Sequence, residues 1–268
     1  MKTIKEQIAA LRKVGYRLPT AQMKVAHDII LLAMHRCGFK KSSTIKGGVV
    51  MSHMTGDIRR TTMDMDIAFV RRSISEESVQ RFVKKINCIP GIRIVQFGTI
   101  EELNHDDYRG KRVYLDVSDG SLPKPLRTKI DIGVHARREI AQIEYSFELM
   151  NAESSANLNA NSGEQIFVEK LLSLLRYGAI SRRPKDIFDM YYLREKVDVE
   201  TFRKYVEILI YKNKKCKVTG KDEVLASLRT TFASRQYLKR LSGANVNWLQ
   251  LDPQAATFAI LAFLEETL

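Results

Sequence analysis

Residues 46–67 read KGGVVMSHMTGDIRRTTMDMDI, and this stretch decides how the first half of the chain folds. It opens with the pair Gly47-Gly48 and closes with two aspartates, Asp64 and Asp66, that are separated by one residue. Successive side chains alternate in a β-strand, so both aspartates point to the same face. Neighbouring carboxylates repel each other unless a cation lies between them, and an all-oxygen site suits Mg²⁺. The stretch therefore predicts a metal-binding strand that follows a glycine turn.

A third carboxylate would complete a two-metal site, in which the ions lie about 3.5–4 Å apart and support phosphoryl transfer. Asp131 supplies it within the β-rich run 129–134, where apolar neighbours would otherwise bury the carboxylate. Asp116, on the preceding β-rich run, is the competing choice. The sequence leaves this choice open.

The surrounding pattern predicts an α+β fold. Two helices precede Ser42, and short β-rich runs separated by turns continue to Val134, interrupted by a helix over 75–86. We expect residues 1–150 to form one domain, in which the N-terminal helices accompany a small mixed β-sheet. Residues 151–162 are small and polar and predict a linker or an exposed loop. Residues 151–268 predict a mainly helical domain that completes the active-site cleft.

Composition restricts the partners. The formal net charge of +13 indicates attraction to a polyanion, with RNA first among the possibilities. No apolar run reaches the length of a membrane span, which is about 18–20 residues. The three cysteines are few and far apart, so we expect neither a disulfide framework nor a zinc site, and we expect a cytoplasmic protein.

Two basic segments that contain or follow aromatic residues, 212–217 and 235–240, are candidates for contact with an RNA backbone and a stacked base. A solvated charged surface is the competing interpretation of each segment. The five histidines show no metal-ligand spacing and receive no role.

Together these motifs resemble the AbiEii/AbiGii toxin family of the DNA polymerase β-like nucleotidyltransferase superfamily, to which the MenT toxins are related. The resemblance spans roughly Lys46 to Arg194. The matching motifs are Gly47-Gly48, Arg60-x-Thr62-x-Asp64-x-Asp66, Asp131, Glu169-Lys170 and Lys185-Asp186-Ile187-Phe188-Asp189.

The resemblance implies a role for each matching residue. Gly47, Gly48, Arg60 and Thr62 would bind the nucleotide, and Lys170 would bind its triphosphate at the edge of the cleft. The expected metal ligands are Asp64, Asp66 and Asp131, and the expected catalytic residues are Asp64, Asp66, Asp131, Lys170 and Asp186. Asp189 would brace Asp186. On helical spacing alone, Lys170 could equally be a surface lysine that extends past an apolar face, and Asp186 and Asp189 could simply stabilise a helix start.

The implied activity is the Mg²⁺-dependent transfer of a nucleoside monophosphate from an NTP to RNA, at the 3′ end of transfer RNA. The implied setting is a type IV-like toxin–antitoxin or abortive-infection system, with an antitoxin partner and growth arrest as the cellular result. Two alternatives stay open: transfer to a protein or small-molecule hydroxyl, and a non-catalytic NTP-binding module that acts through a partner.

Overall fold

The computed structural model describes residues 2–104, 109–135, 137, 139–150 and 155–268. It divides the chain into two compact units, Met1–Asn161 and Ser162–Leu268. The division falls after Asn161, whereas the sequence predicted a boundary after residue 150.

Within the described part of the first unit, seven strands form one sheet in the order β3-β4-β5-β2-β1-β7-β6. The strands are β1 (Ser43–Lys46), β2 (Met65–Phe69), β3 (Arg93–Asn104), β4 (Arg109–Ser118), β5 (Leu126–Val134), β6 (Ile143–Phe147) and β7 (Ala156–Ala160). The pairs β2–β5 and β1–β7 are parallel and the others are antiparallel. The mixed sheet confirms the predicted α+β class.

Helices cover one face of this sheet. They are α2 (Leu18–Arg36), α3 (Gly47–Thr55) and α4 (Glu76–Ile86), while α1 (Ile4–Lys13) packs against α2. Along β5, Thr128, Ile130 and Ile132 are buried, and α2 packs against β5 and β7. The alternate residues Lys129 and Asp131 lie on the other face, so period-two alternation separates an apolar core from a polar sheet surface.

The segment predicted as a linker or exposed loop instead contains β7. Residues 151–154 lie outside the described residues, but Ala156, Leu158 and Ala160 are buried and pair with β1 and β6. Alanine and asparagine are poor strand formers, so the local sequence resembles a loop. Tertiary pairing overrides that preference.

The second unit is mainly helical, as the sequence predicted. Its α-helices are α5 (Gly163–Tyr177), α6 (Lys185–Leu193), α7 (Val199–Val206), α8 (Lys221–Phe232), α9 (Arg235–Leu241) and α10 (Pro253–Thr267). Side-chain oxygens of Ser162, Asp198, Ser234 and Asp252 cap four of these helices by accepting a backbone N–H. No described helix is both long and apolar enough to cross a membrane.

The sequence predicted no disulfide framework, but the structure joins Cys37 and Cys88 in one disulfide. Cys37 caps the end of α2, and Cys88 follows α4, which packs against α2. The two cysteines are 51 positions apart in the sequence, so no local motif reveals the pairing. Cys216 is free and buried.

Candidate active site

A row of charged residues crosses four neighbouring strands on the polar face of the sheet. In register across β1, β2, β5 and β4 lie Lys46, Asp66, Asp131 and Arg112. Two carboxylates therefore occupy the centre of the row, with a cation at each end. We call these four residues the charged row.

Asp131 is held by its neighbour in the charged row. Arg112 donates from Nε to one carboxylate oxygen at 2.7 Å and from Nη2 to the other at 2.8 Å. These hydrogen bonds raise the pKa of Arg112 above its ordinary value. The carboxylate keeps 15% of its surface exposed, so it is constrained and still accessible.

Asp64 immediately precedes β2 and is more open than Asp131, with 53% of its side chain exposed. Its carboxylate lies 3.0 Å from Lys129 Nζ. Since Met65 pairs with Ile130 in β5, Asp64 reaches the same face as the charged row. The alternation predicted from the sequence thus brings Asp64 and Asp66 to one surface.

The glycine pair lies directly against these carboxylates. Gly47 begins α3 with a φ of +57°, a left-handed conformation that glycine adopts without steric cost. A Cβ on Gly47 would lie 3.2 Å from Asp66 Oδ2, and one on Gly48 would lie 2.6 Å from Thr62 Oγ1. The absence of a Cβ at both positions therefore lets the backbone at the positive end of α3 lie close to Asp66 and Thr62.

Thr62 connects the glycine pair with Asp64. Its hydroxyl is 3.1 Å from the carbonyl oxygen of Asp64, to which it donates, and 3.4 Å from the Asp64 backbone N–H. Arg60 is buried and donates from Nη1 to the Thr61 carbonyl oxygen at 3.1 Å. Both residues stabilise the loop that leads into β2.

Asp116 lies away from this cluster. It is on β4, four residues beyond Arg112, which corresponds to about 13 Å along a strand. Its carboxylate pairs with Arg127 Nε at 3.1 Å. The structure places Asp131, and not Asp116, beside Asp66.

The donors of this surface fit a hard divalent cation. Carboxylate oxygens of Asp64, Asp66 and Asp131 share one face, and the glycine backbone leaves room beside Asp66. Across the described ranges, no three His, Cys, Asp or Glu side chains already converge as a cation site. Lys129 and Arg112 occupy two of the carboxylates, so a metal would exchange with these ion pairs.

In the second unit, Lys170 is buried between two carboxylates. Its Nζ lies 2.5 Å from Asp186 Oδ1 and 2.9 Å from Asp189 Oδ2, and its side chain is 5% exposed. This burial corrects the expectation that Lys170 emerges at the edge of a cleft. Trp248 Nε1 donates to Asp189 at 3.2 Å, a contact that no sequence motif signals. We call Lys170, Asp186 and Asp189 the buried triad.

The chain was compared with curated protein sequences and with solved structures. No curated protein sequence matches the chain significantly. The solved structure of JHP933 from Helicobacter pylori is 12% identical with a TM-score of 0.47, and covers 91% of this chain and 94% of its own. An antigenic nucleotidyltransferase-like protein from Paracoccidioides brasiliensis is 14% identical with a TM-score of 0.41, covering 83% of this chain and 92% of its own.

A protein-family model also matches the chain, over most of its length. The family model "Nucleotidyl transferase AbiEii toxin, Type IV TA system" matches residues 29–246, which include the charged row, the glycine pair and the buried triad. The chain therefore belongs to the AbiEii nucleotidyltransferase toxin family of type IV toxin–antitoxin systems.

Proposed function

We propose that the protein transfers a nucleoside monophosphate from an NTP to a hydroxyl of RNA, with Mg²⁺, and that the acceptor is the 3′ end of transfer RNA. The acceptor oxygen attacks the α-phosphorus and forms a new P–O bond. The bond from the α-phosphorus to the bridging oxygen breaks, and pyrophosphate leaves. The observation that supports the proposal is the backbone of Gly47 held against Asp66, which shares its sheet face with Asp131.

Each residue of the first unit has a distinct part in this proposal. Backbone N–H groups at Gly47 and Gly48 receive phosphate oxygens, aided by the positive end of α3. Asp64, Asp66 and Asp131 would hold two Mg²⁺ ions, which would neutralise charge on the phosphates when bound. Asp131 aligns the acceptor hydroxyl and takes its proton. Thr62 donates a hydrogen bond to the Asp64 carbonyl oxygen and positions the nucleotide. The buried side chain of Arg60 stabilises the loop that carries Thr62.

The second unit, residues 162–268, enters the proposal through Lys170 and Asp186. The family resemblance makes Lys170 a triphosphate ligand, and its charge would serve that role only if the phosphates displaced a carboxylate of the buried triad. Asp189, which is fully buried, would keep the triad in place. We propose that this unit completes the active site.

The acceptor assignment rests on charge. Lys212, Lys214, Lys215 and Lys217 are all exposed, in agreement with contact to a polyanion, and the net charge is +13. The other basic segment is less suited to base stacking than the sequence suggested, because Tyr237 is only 1% exposed. In that segment, Arg240 donates to the carbonyl oxygens of Ser181 and Ala179. A type IV toxin is paired with an antitoxin, which is the expected protein partner.

The test incubates total bacterial RNA with each of the four α-labelled NTPs and Mg²⁺, using the wild type, Asp66→Asn and Asp116→Asn. We expect label in a band of transfer-RNA size with the wild type and with Asp116→Asn. The Asp66→Asn enzyme should lose on the order of 10⁴-fold in rate, since it lacks a metal ligand.

Label in protein or in a small molecule would replace RNA as the acceptor. Binding of NTP without turnover on any acceptor would instead favour a module that acts through its partner. Equal loss in Asp66→Asn and Asp116→Asn would contradict the assignment of the charged row.

A further inference from the structure

The polar sheet face continues beyond the charged row into residues to which the proposed reaction gives no role. In register across β5, β4 and β3 lie Lys129, Tyr114 and Phe97. We call these three residues the aromatic row. Its inner end is at Asp64, whose carboxylate is 3.0 Å from Lys129 Nζ. The aromatic row therefore leads away from the carboxylates that are expected to bind Mg²⁺.

The aromatic row is open to solvent. Along β4, Tyr114 is partly exposed, whereas its neighbours Val113 and Leu115 are buried on the opposite face. Phe97 and Lys129 are also partly exposed. Neighbouring strands lie about 4.7–4.9 Å apart, so the row extends about 14 Å from Asp64 to Phe97. A ligand that covers the whole row must therefore be elongated.

Arg127 places a planar cation at the outer end of the aromatic row. Its guanidinium carbon lies over the Phe97 ring, 4.0 Å from the ring centroid, and the centroids of Phe97 and Tyr114 are 5.5 Å apart. Arg127 Nε is 3.1 Å from Asp116, which matches its charge, and yet the arginine side chain is 65% exposed. The guanidinium is therefore held against an aromatic ring and is still open to a ligand.

The chemistry of this surface is that of a stacking platform. Planar guanidinium groups and aromatic rings stack the bases of single-stranded nucleic acids, and such stacking tolerates any sequence because every base has a π-face. An apolar peptide suits the surface less well, because Arg127, Asp116 and Lys129 interrupt its apolar area. The side chains therefore favour a strand of nucleotides over a protein segment.

The charges of this face favour the same ligand. The described cations on this face of β3, β4 and β5 are Arg93, Arg112, Arg127 and Lys129. The described carboxylates there are Glu101, Asp116 and Asp131. In the proposed function, Mg²⁺ occupies Asp131 and also Asp64, the present partner of Lys129. Four cations then face two carboxylates, so the surface outside the metal site is positive and complementary to a phosphate backbone.

We propose that the aromatic row and Arg127 bind the single-stranded 3′ end of the acceptor RNA. A base stacks on the Arg127 guanidinium, and Lys129 contacts a phosphate between that base and the reacting hydroxyl. This inference deepens the proposed function and rests on it, because the strand must end beside Asp64 and Asp131. It names the surface that holds the acceptor strand, and it predicts little preference for the sequence of that strand.

The test measures RNA binding and needs no catalysis. Fluorescence anisotropy with Mg²⁺ and no NTP compares labelled transfer RNA with the same RNA after removal of its single-stranded 3′ nucleotides. Arg127→Lys keeps the positive charge and removes the planar group. Arg229→Lys is the matched control, since Arg229 is 61% exposed and also pairs with a carboxylate, that of Glu265. Far-ultraviolet circular dichroism confirms that each variant is folded.

The Arg127→Lys variant should bind intact transfer RNA about tenfold more weakly than the wild type, because one stacked base is lost. Its affinity for the trimmed RNA and the salt dependence of its binding should not change, because the charge is kept. Arg229→Lys should bind both RNAs as the wild type does. Equal affinities of Arg127→Lys and Arg229→Lys for intact RNA would overturn the proposal, as would equal losses for intact and trimmed RNA.

Two more variants separate stacking from phosphate contact. Phe97→Leu removes the ring beneath Arg127 and should also weaken the binding of intact RNA. Lys129→Met should reduce the slope of log affinity against log salt by about 0.7, the value for one phosphate contact with a single strand. Wild-type affinity in Phe97→Leu would contradict the stacking contact, and an unchanged slope in Lys129→Met would contradict the phosphate contact.

Failure of this inference can be told apart from failure of the proposed function. If the wild type transfers no nucleotide but Arg127→Lys selectively loses intact RNA, the transferase proposal is rejected and the RNA-binding surface stands. If transfer to RNA occurs and Arg127→Lys binds RNA like its control, the reverse holds. Loss of the purified antitoxin by Arg127→Lys, with unchanged RNA binding, would assign the surface to a protein partner and overturn the inference.

Discussion

The polar face of the sheet and the buried triad both place carboxylates beside cations, but they differ in burial. In the polar sheet face, Asp64 is 53% exposed and Asp131 is 15% exposed. In the triad, Lys170 is 5% exposed and Asp189 is fully buried. Exposed ion pairs contribute little and exchange readily, whereas removing one partner of a buried pair leaves an uncompensated charge. The pair of Asp64 and Lys129 on the sheet face is therefore suited to exchanging partners, and the triad is suited to stabilising its unit.

Removing one lysine from each region gives the strongest test of this difference. Lys170→Met should lower the free energy of unfolding by about 3–5 kcal/mol, because it strands two buried carboxylates. Lys129→Met should cost less than about 1 kcal/mol, because its pair with Asp64 is exposed. Trp248 is the single tryptophan and contacts Asp189, so its fluorescence follows denaturation of the second unit.

Far-ultraviolet circular dichroism follows the Lys129→Met variant, whose substitution lies in the first unit. If Lys170→Met and Lys129→Met lower the free energy of unfolding equally, burial does not determine the contribution of these ion pairs to stability.

The glycine pair offers a test of intermediate size. Gly48→Ala places a Cβ 2.6 Å from Thr62 Oγ1, which forces the loop before Asp64 to move. We expect a loss of about 1–3 kcal/mol in NTP binding, measured by calorimetry. Gly220→Ala is the control, because a Cβ there meets nothing within 4 Å.

Thr62→Gly removes the clashing side chain, so adding Gly48→Ala to Thr62→Gly should cost less NTP affinity than adding it to the wild type. If Gly48→Ala lowers NTP affinity equally with and without the Thr62 side chain, the clash with Thr62 is not the cause of the loss.

The last prediction concerns His27, a buried titratable group in the first unit. Burial lowers its pKa to about 4, from an ordinary value of 6.5. Between these two values the unfolded chain binds a proton that the folded protein does not, so stability falls as pH falls through this range. The slope should approach about 1.4 kcal/mol per pH unit for this group.

Urea unfolding at about pH 7 and about pH 5, for the wild type and His27→Gln, measures this contribution. The variant should show a shallower loss than the wild type. If the wild type and His27→Gln lose the same stability between the two pH values, burial does not lower the pKa of His27 in the folded protein.

The sequence predicted those parts of the site that depend on local periodicity. Alternation placed Asp64 and Asp66 on one face, and apolar neighbours identified the strand that carries Asp131. What it could not supply was the register between strands distant in sequence. The choice of Asp131 over Asp116 beside Asp66 follows from the parallel pairing of β2 with β5, which no local pattern encodes.

Burial in three dimensions was also outside the reach of local patterns. Helical spacing put Lys170 at the border of an apolar face, but the two aspartates on α6 enclose it. The strand β7 and the disulfide between Cys37 and Cys88 escaped prediction for a related reason, because each depends on a partner segment far along the chain.

The position of β1 in the sheet has a consequence for the order of events during synthesis. The glycine pair follows β1 directly, and β1 pairs on one side with β2 and on the other with β7, which ends at Ala160. Contacts this distant in sequence form late in folding. The turn at Gly47-Gly48 is therefore held on both sides only after the chain through Ala160 has left the ribosome, so its geometry is complete only once more than half of the chain has emerged.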